Sequence, residues 1–258
     1  MNETIKADNI TKTFKLSAKQ QKLRGLDTRV LKAVDGLSFS AYEGEIFGLL
    51  GSNGAGKTTT LRMLATLIKP DSGDAVLMGS SIANAPDEVR KKIGFLTSEL
   101  KLEEFFTPSY LFDFFSDLHQ VPDEIKAKRK TELFERFGID KFAEVKVSNL
   151  STGMKQKAAL VIAVAHDPDI VIFDEPTNGL DVITAKVVTD FLLDLKKQGK
   201  TVIISTHIFS LIEKVCDRVG VIIDGKMIVC DELSSLTHSK PLEDVFFDLY
   251  KERKGDEL

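Results

Sequence analysis

The sequence predicts an α/β protein built on a largely parallel sheet, with a helical segment inserted into it. Residues 45–50 form a short apolar run that ends at glycines, and Leu61, Leu64 and Leu67 then follow at helical spacing. Two further apolar runs, residues 170–173 and 202–204, end in polar residues, as strands of a parallel sheet do when a site lies at its carboxyl edge. Between them, from about Pro108 to about Val147, the sequence carries two helical patterns and no strand pattern.

Taken in order, the polar and basic residues 15–29 have no strong period and read as an exposed loop or hairpin extension. Residues 45–50 are the first buried strand, followed by a glycine loop and a helix over residues 57–67. Residues 108–119 bring Tyr110, Phe112, Phe114 and Phe115 close together, as core packing or as a surface for a partner. Residues 123–137 are charged on one side, with Ile125, Leu133, Phe134 and Phe137 on the other. Asp224-Gly225 between two apolar runs signals a hairpin, and residues 242–246 begin a terminal amphipathic helix. No internal repeat or low-complexity segment is visible.

With 258 residues and 43% hydrophobic content, the chain can fill a sizeable core. Its 35 Lys and Arg against 39 Asp and Glu leave a net charge of -4, so nucleic acid is not an expected partner and any polyanion must be held by a local site. The two cysteines, Cys216 and Cys230, sit on apolar faces and read as buried thiols in a reducing compartment. Met1-Asn2-Glu3-Thr4 is polar with no apolar run behind it, which predicts a cytoplasmic chain. The longest apolar stretches fall short of the roughly 20 residues needed to cross a bilayer, so any membrane work requires another chain. Gly255-Asp256-Glu257-Leu258 reads as a solvated tail.

Gly51-Ser52-Asn53-Gly54-Ala55-Gly56-Lys57-Thr58 satisfies G-x-x-x-x-G-K-[ST] in the strand-to-helix setting that the chemistry needs. Glycines let backbone N–H groups turn around phosphates, and the helix N-terminus adds the positive end of its dipole. Lys57 reaches the terminal phosphates and Thr58 binds Mg²⁺. Asp174 and Glu175 end a buried strand. Alone, such a pair is more often a helix start or a solvated turn. Behind a complete phosphate loop, Asp174 belongs beside the metal, and Glu175 orients and deprotonates the attacking water. His207, past the third buried run, lies at the same sheet edge, where it reaches the terminal phosphate and Glu175; a single His elsewhere is usually a surface or satisfied core residue.

Leu150-Ser151-Thr152-Gly153-Met154-Lys155-Gln156, Asn178-Gly179-Leu180-Asp181 and Thr206-His207 resemble the signature loop, the loop after the acidic strand and the switch histidine of the ATP-binding cassette (ABC) transporter ATPases. Phe14 is similar to the aromatic that stacks on adenine in that family, though alone it reads as core. The resemblance covers nearly the whole chain. It implies a P-loop NTPase (RecA-like) core with a mixed sheet, antiparallel β elements at the N-terminus and an inserted helical subdomain. One cassette would fill residues 1–258, with the catalytic core at 1–94 and 158–230, the helical subdomain and signature loop at 95–157, and a helical tail at 231–258.

The resemblance also implies ATP and Mg²⁺ as cofactors. ATP would contact Phe14, residues 51–58, Thr59 and Asp181, with Ser151, Thr152 and Gly153 supplied by a second copy or a paralogous ATPase subunit. An integral membrane permease would be the other partner, with the cassette peripheral at the inner face of the cell membrane. The sequence departs from the pattern at Thr152 and Met154, and at the loop that normally carries a glutamine to the metal. Ser98 stands there, and Glu99 beside it is either a further Mg²⁺ contact or solvated. Within the family, the chain resembles drug, lipid and sodium exporters, and the basic insertion and residues 151–157 resemble sodium-extrusion subunits. The competing reading is a soluble ATPase of DNA repair or the ribosome, whose usual coiled coils, zinc-binding cysteines or second cassette are not visible. An ATP-binding module without turnover is disfavoured by Glu175 and His207.

Overall fold

The computed structural model describes residues 2–23, 28–97 and 102–255. The chain opens with β1 (Glu3–Lys15), a short helix α1 (Ala18–Leu23) and β2 (Val30–Tyr42). β1 and β2 pair antiparallel as a hairpin, and Leu16 N donates to Arg29 O at 2.8 Å just beyond the last strand pair. β3 (Ile46–Leu50), α2 (Lys57–Leu64), β4 (Ser72–Leu77), β5 (Ser80–Ser81), α3 (Pro86–Lys92) and β6 (Ile93–Leu96) follow. Next come α4 (Pro108–Leu118), α5 (Asp123–Phe137) and α6 (Thr152–Ala163). The chain then runs through β7 (Ile170–Asp174), α7 (Val182–Lys197), β8 (Thr201–Thr206), α8 (Phe209–Val215) and β9 (Arg218–Ile223). It closes with β10 (Lys226–Glu232), α9 (Leu233–Leu236) and α10 (Leu242–Lys254).

Two sheets result. The smaller, in the order β2-β1-β4-β5, is antiparallel. The larger, β10-β9-β3-β8-β7-β6, is parallel except for β10, which returns along β9 through the Asp224-Gly225 turn. Both turn residues have positive φ, 50° and 78°, as the expected hairpin requires.

Alternation along the parallel strands divides the core. Phe47, Leu49, Ile170, Ile172 and Ile203 point to the small sheet and α2, whereas Val171, Phe173, Val202 and Ile204 point to the layer of α6, α7 and α8. Both faces are covered, which is why these strands read as unbroken apolar runs. Gly48 is needed where α8 crosses closely: a Cβ there would lie 2.5 Å from Ile212 Cδ1 and 2.9 Å from Cys216 Sγ. Both cysteines are free, Cys216 buried and Cys230 half-buried, and burial pushes both thiols up.

The helical insertion forms as its sequence predicts. Thr107 Oγ1 accepts from Tyr110 N (3.2 Å) ahead of Pro108 at the first position of α4, and Gly138 closes α5 with φ 65°. Phe112 packs edge-on against Phe134, and Phe137 against Phe191 of α7. The aromatic group of α4 therefore divides. Phe112 is fully buried, while Tyr110 and Phe114 are half exposed beside a groove of about 550 Å³.

One expectation is corrected. The helix after the glycine loop ends at Leu64, not Leu67: Thr66 takes φ 60°, Leu67 N donates to Arg62 O (2.9 Å), and Leu67 is left exposed. The divisions placed at 94/95, 157/158 and 230/231 fall inside β6, α6 and β10, so none coincides with a break between elements.

His119 and His166 stack at 3.8 Å between ring centroids where α4 meets the residues after α6, and His166 Nε2 lies 3.1 Å from Ile93 O. Burial pushes His166 down to about 4, helped by His119, and burial also lowers His119. The folded protein thus favours neutral rings, while the unfolded chain takes up protons near pH 6.5. This contribution to stability is intact above pH 6.5 and is lost as the pH falls towards 4. Urea midpoints measured across that window should decline, and His166→Phe, which keeps a stacking ring, should flatten the decline.

Candidate active site

The carboxyl ends of β3, β7 and β8 bring the predicted residues together. Residues 51–56 turn from β3 into α2, and Gly56 at the helix N-cap has φ 108° with no room for a side chain, since a Cβ would lie 2.4 Å from Ala33 O. Lys57 is buried. Its Nζ donates to Gly51 O (2.7 Å) and Ser52 O (3.3 Å), and lies 3.6 Å from Glu175 Oε1. Burial lowers its affinity for a proton, opposed by the carboxylates of Glu175 and Asp174. This is a cation held by its own loop, with few competing partners to give up when a phosphate arrives.

Asp174 is buried at the end of β7. Its Oδ2 accepts from Thr58 Oγ1 (2.8 Å) and from Thr97 Oγ1 (3.4 Å), and its Oδ1 accepts from Ser205 Oγ. Glu175 follows in the left-handed region, φ 53°, with its N–H bonded to Ser205 O at 3.0 Å. That turn aims the side chain back across the sheet edge, where Oε1 sits 3.0 Å from His207 Nδ1. Its other oxygen, Oε2, is buried with no hydrogen-bond partner among the described residues. Such an acceptor is costly unless something fills it, and a water beside a bound nucleotide is the size and polarity that fits.

No group of three or more His, Cys, Asp or Glu side chains gathers for a metal among the described residues. One hydroxyl and one carboxylate, Thr58 and Asp174, are nonetheless what Mg²⁺ takes from a protein when phosphates and waters supply the rest. A hydroxyl that donates to Asp174 keeps its oxygen lone pairs for a cation, so the pair fits the ion. Ser98 and Glu99 lie outside the described residues.

A cleft of about 600 Å³ is lined by residues 53–59, Glu175 and His207, and its far wall is Phe14, Leu16 and Leu31. Phe14 is on β1, 39% exposed, with Lys12 Nζ 6.0 Å from its ring centre: a flat apolar face left open beside the phosphate loop. Ser151, Thr152, Gly153 and Asp181 do not line this cleft. Ser151 caps α6 through Met154 N (3.3 Å), and Thr152 lines an adjoining cavity with Gln156 and Asp174, which shares Glu175 and Asn178 with the cleft. Asp181 caps α7, accepting from Ile183 N and Thr184 N at 3.0 Å each, and the Thr184 hydroxyl and amide hold its carboxyl below the usual range. Ser151, Thr152, Gly153 and Asp181 thus lie outside the cleft, and the cavity beside Thr152 adjoins it at Glu175 and Asn178.

Residues 34–178, carrying the loop, the helical insertion and the acidic strand, match the family described as ABC transporter. The ABC transporter ATP-binding protein NatA of Bacillus subtilis is 39% identical over 219 residues, 84% of this chain and 89% of that protein. The chain belongs to the ABC transporter family. It is therefore an ATPase cassette. Nod factor export ATP-binding protein I of Ralstonia nicotianae is 37% identical over 76% of the cassette and 61% of that protein. The solved structure of an ATP-binding subunit of an ABC transporter has the same fold, with a TM-score of 0.84 at 22% identity over 96% of this chain and all of that one. A dimeric post-hydrolysis structure of the ATP-binding cassette MJ0796, bound to ADP and Pi, gives 0.78 at 26% identity over 89% and 98% of the two chains.

Sequence reasoning assigned no role to several residues that the cassette places at the site. Arg62 lines the nucleotide cleft, as does Asn178, which the sequence placed only in the loop after the acidic strand, and Leu16 and Leu31 extend the wall beside Phe14. Thr97 and Ser205 meet Asp174. Their signal is a hydroxyl at the end of each strand that neighbours β7, visible only once the strand order is known.

Proposed function

We propose that the cassette is the ATP-hydrolysing subunit of an exporter, working at the cytoplasmic face of a membrane as a pair of copies, or with a paralogous ATPase subunit, on a separate permease. The observation that carries this reading is that Ser151, Thr152 and Gly153 lie outside the cleft of the phosphate loop. That loop, Glu175 and His207 line one cleft, with Asp174 bonded to Thr58 beside it, while Ser151 and Gly153 stand at the start of α6, where a Cβ on Gly153 would meet nothing. A second copy turned head to tail supplies what each cleft lacks, and the dimeric cassette bound to ADP and Pi, 26% identical, supports that arrangement. Among the described residues no helix is long and apolar enough to cross a membrane, so the permease is another chain. The groove beside α4, with Phe106, Tyr110 and Phe114 at its mouth, is where a permease helix docks; Phe112, fully buried, takes no part.

In this reading Phe14 stacks on adenine and the main chain of residues 51–58, with Thr59, surrounds the phosphates. Lys57 neutralises the terminal phosphates from its buried position. Thr58 and Asp174 would hold Mg²⁺, which would supply positive charge beside the phosphate oxygens. Glu175 takes a proton from the attacking water through Oε2, which has no partner among the described residues, and His207 holds the carboxylate in place and contacts the terminal phosphate. Ser151 and the first amides of α6 of the other copy complete the ring, with Asp181 at the same junction. Hydrolysis then loosens the pair.

Na⁺ is the proposed cargo, on the likeness of the basic insertion and residues 151–157 to sodium-extrusion subunits; drug or lipid efflux is the alternative. Inverted membrane vesicles prepared with and without the cassette separate these. ATP-dependent ²²Na⁺ uptake requiring the cassette is the expected result. Efflux of a dye or lipid without Na⁺ movement favours the alternative. If neither moves, and detergent extracts contain no integral membrane chain bound to the cassette, the transport reading is overturned.

A further inference from the structure

We propose that Ser205 and Thr97 are positioning residues, which hold the Asp174 carboxylate from the strands on either side of β7 in the orientation that serves the cation accompanying ATP. The inference rests on Asp174 and Thr58 as the metal pair. Register places the three side chains in one row. Asp174 is directly opposite Ser205 in β8, and Thr97 comes one residue after the Leu96–Phe173 pair of β6 and β7, so it falls opposite Asp174 on the other side. Ser205 Oγ donates to Oδ1, while Thr97 Oγ1 (3.4 Å) and Thr58 Oγ1 (2.8 Å) converge on Oδ2. Ser205, Thr97 and Asp174 are all buried, with relative exposures of 0%, 5% and 2%, so no water substitutes for a missing hydroxyl without rearrangement.

The torsion that turns a carboxylate about Cβ–Cγ is broad, so burial alone does not fix which way its oxygens face. With only Thr58 bonded to it, Asp174 would be oriented by the very hydroxyl that has to meet the cation. Hydroxyls on both flanks remove that dependence: Oδ1 is tethered to β8, and Oδ2 keeps a protein donor besides Thr58. Ser205 does more than its side chain alone suggests. Its carbonyl accepts the N–H of Glu175 (3.0 Å), so one residue of β8 fixes both adjacent acidic residues, the second in a left-handed turn. Ordinary strand packing would be satisfied by an apolar side chain at either position, as at Ile204 and Leu96 next door. Hydroxyls facing one carboxylate from both sides indicate a task at that carboxylate.

The test separates positioning from packing. Thr97→Val has the same shape without the hydroxyl, and Ser205→Ala leaves the carbonyl that holds Glu175. Binding of a fluorescent ATP analogue in EDTA should be unchanged in both. The Mn²⁺ concentration that half-saturates the nucleotide complex, read by electron paramagnetic resonance, should rise by roughly 10–100-fold. Thr97→Ser should restore it. Wild-type Mn²⁺ affinity in both variants overturns the proposal, as does an equal loss of binding with and without metal, which would mark packing damage. Should Ser205→Ala fail to fold, the Thr97 pair of variants decides. If Asp174→Asn also leaves Mn²⁺ affinity untouched, the metal pair itself is wrong, an outcome distinct from failure of the two hydroxyls alone.

Discussion

Glu175→Gln is expected to lower ATP turnover by roughly 10²–10⁴-fold, the usual contribution of a general base, while nucleotide binding persists. The substitution keeps the shape of the side chain and its left-handed backbone turn, whose N–H bond to Ser205 O does not involve the carboxylate. What it removes is the proposed base. Oε2 is buried with no partner among the described residues, Oε1 is 3.0 Å from His207 Nδ1, and Lys57 Nζ is 3.6 Å from Oε1, so a cation and an imidazole hold the carboxylate by one oxygen. An amide in that place neither takes a proton nor balances Lys57. Phosphate release measured beside equilibrium binding of ATP tests both halves of the expectation, and size-exclusion chromatography with light scattering should find the variant as an ATP-dependent dimer. Turnover within a few-fold of wild type would remove Glu175 from the role of base.

How much of this was legible depended on where each signal lay along the chain. The strands of the parallel sheet were readable because both of their faces are covered, so residues 170–173 and 202–204 are apolar without interruption. β1 and β2 were not read individually. They are 13 residues long with one face partly exposed, and register shifts break their alternation, so no period-two pattern survives in the sequence. The end of α2 was misplaced because the apolar spacing continues to Leu67 while Thr66, not a glycine, takes the left-handed turn. The phosphate loop was plain because all its groups are consecutive. The surroundings of Asp174 were not, since Ser205 and Thr97 are separated from it by 31 and 77 residues and meet it only through strand order. His207 follows a buried strand in the sequence, and its contact with Glu175 is a consequence of β7 and β8 being neighbours.

Gly153→Asp should lower turnover by about 10²–10³-fold, the scale on which a donor to a developing phosphate charge acts, without weakening the fold. Nothing inside the chain requires a glycine here. A Cβ at Gly153 meets no atom within 4 Å, and its φ does not fall in the left-handed region, in contrast to Gly56, where Ala33 O blocks any side chain. Gly153 is in the first turn of α6, whose N-cap is Ser151, and a carboxylate in a first turn interacts favourably with the helix dipole. The thermal midpoint of Gly153→Asp should therefore equal or slightly exceed that of the parent. The loss arises only between copies, where the new carboxylate would face the nucleotide phosphates held by residues 51–58 of the other subunit. A single cassette should still bind ATP, and Gly153→Asp introduced into Glu175→Gln should abolish the ATP-dependent dimer. Unchanged turnover in Gly153→Asp would mean that each cleft works alone, and the head-to-tail pair would have to be abandoned while the chemistry of Lys57, Asp174 and Glu175 stood.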